Sequence, residues 1–255
     1  MRDGYKATAQ RNYRRALDYF KAALVERPGD RYASAAVINM TNYINQRTPA
    51  MISFASGKPG RVTFGTTRTA KCLNQNDRGT SAIALVPSDM EAQLTTSAHP
   101  KLFFYIPESQ KPVQGLEFRL LDKQQAKILY QDTVQPVKQG GVMVVDTGEK
   151  ATLEPGKTYK WWATVICDFK SRGSDVKLEG EIQVVDDANI SSGVQLETNP
   201  LERAKLYATG GFWENAISKL ADLRRQDPQN AQINQYWTEL LTSVELQEVA
   251  QKPLL

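Results

Sequence analysis

The hydrophobic period changes twice along this chain, and that change limits the folds open to it. Near both ends apolar residues recur at three- and four-residue steps. Through the middle they alternate. In "YRRALDYFKAALVERPGD", Tyr13, Ala16, Leu17, Phe20, Ala23 and Leu24 share one helical face. Pro28-Gly29-Asp30 then stops the helix, and another is expected from about Tyr32 to Asn45. In "GLEFRLLD", by contrast, Leu116, Phe118 and Leu120 oppose Glu117 and Arg119, the pattern of a half-buried strand. "VKLEGEIQVV" repeats that pattern with Val176, Leu178, Ile182 and Val184 on the apolar side. Further strands are expected in "SAIALVP", "KLFFYIP", "AKILYQDTV", "GGVMVVDTG" and "KTYKWWATVICD". Short strands split by Gly and Pro, with no helix between them, indicate antiparallel sheets packed face to face. The tail returns to helices. Gly210-Gly211 separates two of them, Pro228 closes the second, and Ile233, Trp237, Leu240, Leu241 and Val244 line a third.

Two local spacings sharpen this reading. Gly4, Ala16, Phe20, Ala23 and Pro28 resemble the second half of a tetratricopeptide (TPR) repeat, and Ala204, Tyr207, Gly210-Gly211, Ala216, Leu220, Leu223 and Pro228 resemble it more completely. "LEPGKTYKWWATV" is similar to the turn and core strand of fibronectin type III modules. The expected class is therefore α+β. It is an antiparallel Ig/fibronectin-like β-sandwich flanked by N- and C-terminal TPR-like helical hairpins. The expected division is a helical segment at 1–47, a linker at 48–60, the sandwich at 61–187, a linker at 188–199 and the helical tail at 200–255.

Composition excludes some functions. No apolar run is long enough to span a bilayer, and the first residues lack the apolar segment of a signal peptide. The chain reads as cytosolic, or as exported with its leader removed. Net charge is +4, and the excess lies up to Arg47, where nine Lys/Arg meet four Asp/Glu. No aromatic or Gly-rich nucleic-acid module accompanies this charge, so a solvated helix face is expected and nucleic acid is not.

Candidate chemistry is sparse. Cys72, Cys167 and the single histidine, His99, are dispersed and lack metal-ligand spacing. His99 precedes Pro100 and reads as a turn or packing residue. "DTG" at 146–148 lacks the second aspartate loop of an aspartic protease. "SGKPGRVTFGTTRTAKC" lacks the phosphate-loop order, although Arg61, Arg68 and Lys71 make it basic enough to dock an anion or an acidic loop. Alternation sends Tyr159, Trp161, Ala163, Val165 and Cys167 to one face and Lys160, Trp162, Thr164 and Ile166 to the other. If the first face is core, Trp162 and Ile166 point outward and need cover from the tail, a ligand or a partner. Phe20, Trp162, Ile166 and Trp213 are the candidate interaction residues. No catalytic, cofactor-binding or metal residue is assigned.

Several segments together resemble the cyanobacterial family known as domain of unknown function 928. They are the Gly/Arg-rich lead into Cys72, "ALVP", "HPKLFFYIP", "LEPGKTYKWWATVIC" and the tail from "GGFWENAISKLADLRRQDPQN" to "VEL". The resemblance spans roughly residues 57–255. It implies a bacterial protein, commonly exported to the periplasm, cell surface or beyond, with no established enzymatic activity. In an exported protein Cys72 and Cys167 would form a disulfide, worth roughly 4–5 kcal/mol in the chain-entropy model. Otherwise both are buried thiols. The expected function is a non-catalytic interaction or structural module, binding a protein partner or itself, with head-to-tail assembly through its helical ends as one form. The alternative is a carbohydrate- or cell-wall-binding or -active protein using an aromatic sheet face.

Overall fold

The computed structural model describes residues 2–9, 13–30, 32–37, 40, 52, 54, 64–65, 82–87, 90–108, 113–124, 127–134 and 140–255. The chain divides into two compact units, Met1–Met51 and Ile52–Leu255. The division falls inside the stretch expected as the first linker.

The first unit holds α1 (Arg2–Ala9), α2 (Tyr13–Glu26) and a helical stretch at 32–37 (α3). Ala7, Ala16 and Phe20 form its buried centre, with Tyr19, Ala36, Val37 and Met40 packed around them. α1 and α2 approach closely because Gly4 lacks a side chain. A Cβ there would lie 2.6 Å from the Phe20 ring. The turn after α2 uses Gly29 at φ 93°, a left-handed conformation suited to glycine. Asp30 then starts α3, its carboxylate accepting from the N–H groups of Tyr32 (2.9 Å) and Ala33 (3.0 Å).

The second unit is built on two sheets. The larger runs β1 (Phe64–Gly65), β9 (Val176–Val184), β8 (Thr158–Ile166), β5 (Gly115–Asp122), β6 (Lys127–Val134), and β3 (Gln93–Thr95) also pairs with β9. The smaller runs β2 (Ile83–Ala84), β4 (Lys101–Ile106), β7 (Gly141–Asp146). Alternation acts as expected in the central strands. Leu116, Phe118 and Leu120 of β5 are buried, as are Tyr159, Trp161, Ala163 and Val165 of β8. The sheets meet across an aromatic contact. The Phe104 ring from β4 lies edge-on to Trp161 at 5.5 Å and 6.0 Å from Phe118.

Two features depart from the expected order. The larger sheet is mixed, because β3 runs parallel to β9. A parallel pair needs a long crossover, and here the segment from β4 to β8 supplies it. The stretch expected as a second linker folds as α4 (Ala188–Leu196). The tail helices follow: α5 (Pro200–Thr209), α6 (Trp213–Gln226) and α7 (Ala231–Thr242). Asn199 and Asn230 cap α5 and α7, each accepting from N–H groups of the first turn. Gly211, at φ 84°, makes the turn into α6.

The beginning and end of this unit interlock. The Ile52 N–H donates to Glu239 (3.3 Å) and the Phe54 N–H to Ser243 (3.1 Å), partners 187 and 189 residues apart in sequence. At the other end the Val142 N–H donates to the Pro253 carbonyl (2.8 Å), and the Leu255 N–H to the Val142 carbonyl (2.9 Å). The last residues thus add a short parallel bridge to the open side of β7. Arg225 donates to the Leu255 carbonyl oxygen (3.2 Å).

Gly180 of β9 sits opposite Trp161 in register. A Cβ at Gly180 would lie 2.4 Å from the indole, whereas one at Gly173 meets nothing within 4 Å. Gly180→Ala should therefore cost roughly 1–3 kcal/mol, as overpacking does, and Gly173→Ala almost nothing. Urea unfolding of both variants measures this; equal midpoints would rule out the proposed clash.

Candidate functional site

The site grows from three consecutive residues at the start of α6. Apolar positions Trp213, Ala216, Ile217, Leu220 and Ala221 turn this helix toward the sheets, and all are buried. Trp213 is fully buried. Its indole N–H donates to the Leu85 carbonyl (2.7 Å), and the Phe54 ring meets it edge-on at 5.2 Å. Asn215 accepts from the Thr96 N–H (2.9 Å) and donates to the Thr96 hydroxyl (3.1 Å). Between them Glu214 is buried, with 2% of its surface exposed.

Glu214 is bonded on both oxygens. Oε2 accepts from the Thr95 hydroxyl (2.6 Å), and Oε1 accepts from the Lys101 N–H (2.9 Å) and the Ser218 hydroxyl (2.7 Å). These bonds join α6 to β3 and to the first residue of β4. Burial pushes the Glu214 carboxyl above the usual carboxylate range, while the same three bonds pull against that shift. Two turns along the helix, Asp222 accepts from the Lys101 ammonium with both oxygens (2.9 and 3.1 Å). Asp146 approaches the same ammonium at 3.9 Å.

A cleft of about 330 Å³ opens beside these groups. Its lining is Thr96, Ser97, His99, Lys101, Tyr207, Glu214, Asn215, Ser218, Lys219 and Asp222, and every one carries a polar group. His99 is exposed, and its Nδ1 lies 3.2 Å from the Ala151 carbonyl. With the Nδ1 proton donated there, Nε2 is left as an acceptor. Eight helical residues separate Glu214 from Asp222, a rise of roughly 12 Å. Glu214 lies in the lining of this cleft with both oxygens bonded to the fold. Among the described residues no group of three or more His, Cys, Asp or Glu gathers to hold a metal ion.

The residues singled out in the sequence do not converge on this cleft. Phe20 is buried in the first unit, at 1% exposure. Trp213 and Ile166 are fully buried, so neither offers a surface in the isolated chain. Ile166 departs from its expected outward position because alternation ends there, and Val165 and Ile166 are both buried. Trp162 does lie on the face opposite the core, and it is half-buried. Its neighbours on the strands cover it: the indole N–H donates to Glu179 (2.8 Å) and the Lys160 ammonium lies 5.1 Å over the ring. The Trp162 bond, and then Lys160, hold the Glu179 carboxyl below the usual range. Cys167 is not a free thiol. Cys72, Arg61, Arg68 and Lys71 lie outside the described residues.

Glu214 is the residue that sequence reasoning missed. The available signal was its position on the apolar stripe, three and seven residues before Ile217 and Ala221. Its raised carboxyl makes a sign-definite prediction. The folded chain holds that proton more tightly than the unfolded chain. The resulting stability is complete below the ordinary value of 4.5 and declines as pH rises through the folded value. Above the ordinary value of 4.5 the wild-type protein should lose stability relative to Glu214→Gln as pH rises. Urea titrations at several pH values read this difference, and a pH-independent gap would show that the three bonds fully offset the burial. Glu214→Ala should cost more than Gln, on the order of 1–3 kcal/mol for each donor left unmet.

Comparison with known proteins adds the family and little else. No curated protein matches the chain. A solved multi-domain immunophilin from Arabidopsis thaliana aligns with 70% of this chain and 96% of its own, at 10% identity and a TM-score of 0.15, which carries no argument. A family model, Domain of Unknown Function DUF928, matches residues 63–254, covering the two sheets, the tail helices and every residue of the cleft. The chain therefore belongs to the DUF928 family.

Proposed function

We propose that this chain is a non-catalytic binding module, an interaction or structural protein rather than an enzyme. The observation that carries the reading is the use made of Glu214. The deepest ionisable group of the cleft has both oxygens bonded to the fold. It joins helix to sheet, and most of its acceptor capacity is used within the fold. Asp222 is likewise neutralised by Lys101.

Protein contact is assigned to the first unit, whose helices the proposal reads as TPR-like. Helical repeats of this size rarely stand alone. Val25 and Tyr32, on either side of the turn after α2, are 82% and 77% exposed. The proposed occupant is a second copy of the chain. The proposal also reads the sheet pair as Ig/fibronectin-like, and places the protein in an oxidising compartment: periplasm, cell surface or outside. Support for the compartment is that Cys167 carries no free thiol. Its proposed partner is Cys72, the one other cysteine in the sequence.

A second reading, the carbohydrate-binding sheet face, has Trp162 in its favour. That half-buried ring lies among Glu179 and Lys160, groups able to bond hydroxyls.

Sedimentation velocity over a wide concentration range tests self-association. The wild-type chain should shift to larger species with concentration, and Val25→Glu with Tyr32→Glu should remain monomeric. A wild-type chain that stays strictly monomeric would sink the assembly reading. For the thiols, the unreduced denatured protein should show none. Reduction, or Cys72→Ser, should lower stability by roughly 4–5 kcal/mol. Two titratable thiols before reduction would overturn the pairing.

A further inference from the structure

We infer that the cleft between the β3–β4 segment and α6 binds a neutral, hydroxyl-rich ligand, one or two sugar rings of a glycan. This rests on the non-catalytic reading of the same cleft and adds the chemical class of its occupant.

Three observations lead there. The first is that the lining has no apolar residue. Small-molecule sites are ordinarily apolar with a few placed polar groups. A site in which every lining residue carries a polar group holds its ligand largely through hydrogen bonds. The volume, about 330 Å³, is near the lower end of the usual range for ligand sites and admits a short glycan segment.

The second observation is the charge arrangement. Lys101 lies between Asp222 at 2.9 Å and Asp146 at 3.9 Å, and Lys219 stands exposed at the rim. An anionic ligand would meet Asp222 in the lining, and a cationic one would meet Lys101 and Lys219. Each loses on one side what it gains on the other. An uncharged ligand meets no such conflict.

The third is the set of bonds left to make. The Thr96 hydroxyl accepts from Asn215 and the Ser97 hydroxyl accepts from the His99 N–H (3.1 Å), so each keeps its own hydrogen to donate outward. The Ser218 hydroxyl donates to Glu214 and keeps its lone pairs. His99 Nε2 supplies a further acceptor when Nδ1 is the donor to Ala151. Donors and acceptors thus stand side by side, as vicinal sugar hydroxyls require, since each hydroxyl both gives and takes a bond. Tyr207 contributes a phenol ring to the lining, an amphipathic surface for the C–H face of a pyranose.

Saturation-transfer NMR on the full chain tests the inference. The probes are cellobiose, the N-acetylglucosamine disaccharide, inorganic phosphate and spermidine. At least one disaccharide should bind with Kd of about 10 mM or tighter, and neither charged probe should displace it. Tyr207→Ala should weaken that binding at least tenfold, and Trp162→Ala should leave it unchanged. If Tyr207→Ala misfolds by circular dichroism, the exposed His99→Ala serves in its place. Three results overturn the inference: no disaccharide signal up to about 10 mM, displacement by phosphate or spermidine, or binding lost in Trp162→Ala but kept in the cleft variants. Monosaccharide release from a bound probe would leave the ligand class standing and sink the non-catalytic reading, so the two failures are separable.

Discussion

A carboxylate without water must be given donors by its surroundings, and the second unit is organised around meeting that demand for Glu214. The Thr95 hydroxyl, the Lys101 N–H and the Ser218 hydroxyl come from a strand, the start of the next strand and the helix itself. Satisfying one side chain therefore fixes α6 against β3 and β4. Trp213 and Asn215 on either side extend the contact to Leu85 and Thr96. A buried polar network of this kind specifies position more strictly than apolar packing does, because one misplaced partner leaves a costly unpaired group.

The cleft follows from that docking. A helix held to a sheet by polar bonds at its first turn leaves a gap lined by the same kinds of group further along. Lys101 is the hinge between the two roles. Its backbone N–H serves Glu214 below, and its ammonium reaches Asp222 beside the opening. The lining is polar because the joint that creates it is polar.

Much of this architecture was legible in the sequence, for reasons visible in particular residues. Leu116, Phe118 and Leu120 alternate because one face of β5 meets a second sheet, and that rule held through Trp161. Gly210-Gly211 and Pro228 marked the tail helices by backbone geometry alone. Ile166 misled because strand alternation describes only a strand's interior. The parallel β3–β9 pairing and α4 left no clear local mark. One depends on partners far apart in sequence, and the other on a stretch whose apolar residues gather weakly on one face and are split by Ser191-Ser192-Gly193. Glu214 was hidden by its type: an acidic residue in the first turn of a helix ordinarily reads as a favourable surface charge. What it bonds to, more than a hundred residues earlier, does not appear in its neighbours.

The interlocked ends of the second unit have a consequence for synthesis. Ile52 and Phe54 emerge from the ribosome well before their hydrogen-bond partners, Glu239 and Ser243. At roughly 5–20 residues per second, those N–H groups wait on the order of ten seconds or more. Val142 waits too, for a strand made of the final residues. Throughout that interval β3 and β4 lack the helix that bonds to them, and the side of β7 is open to any extended chain nearby. Completion of this unit thus waits for its last helix and the residues after it. Its exposure to mispairing is set by how long the tail takes to arrive, not by the strength of the finished core.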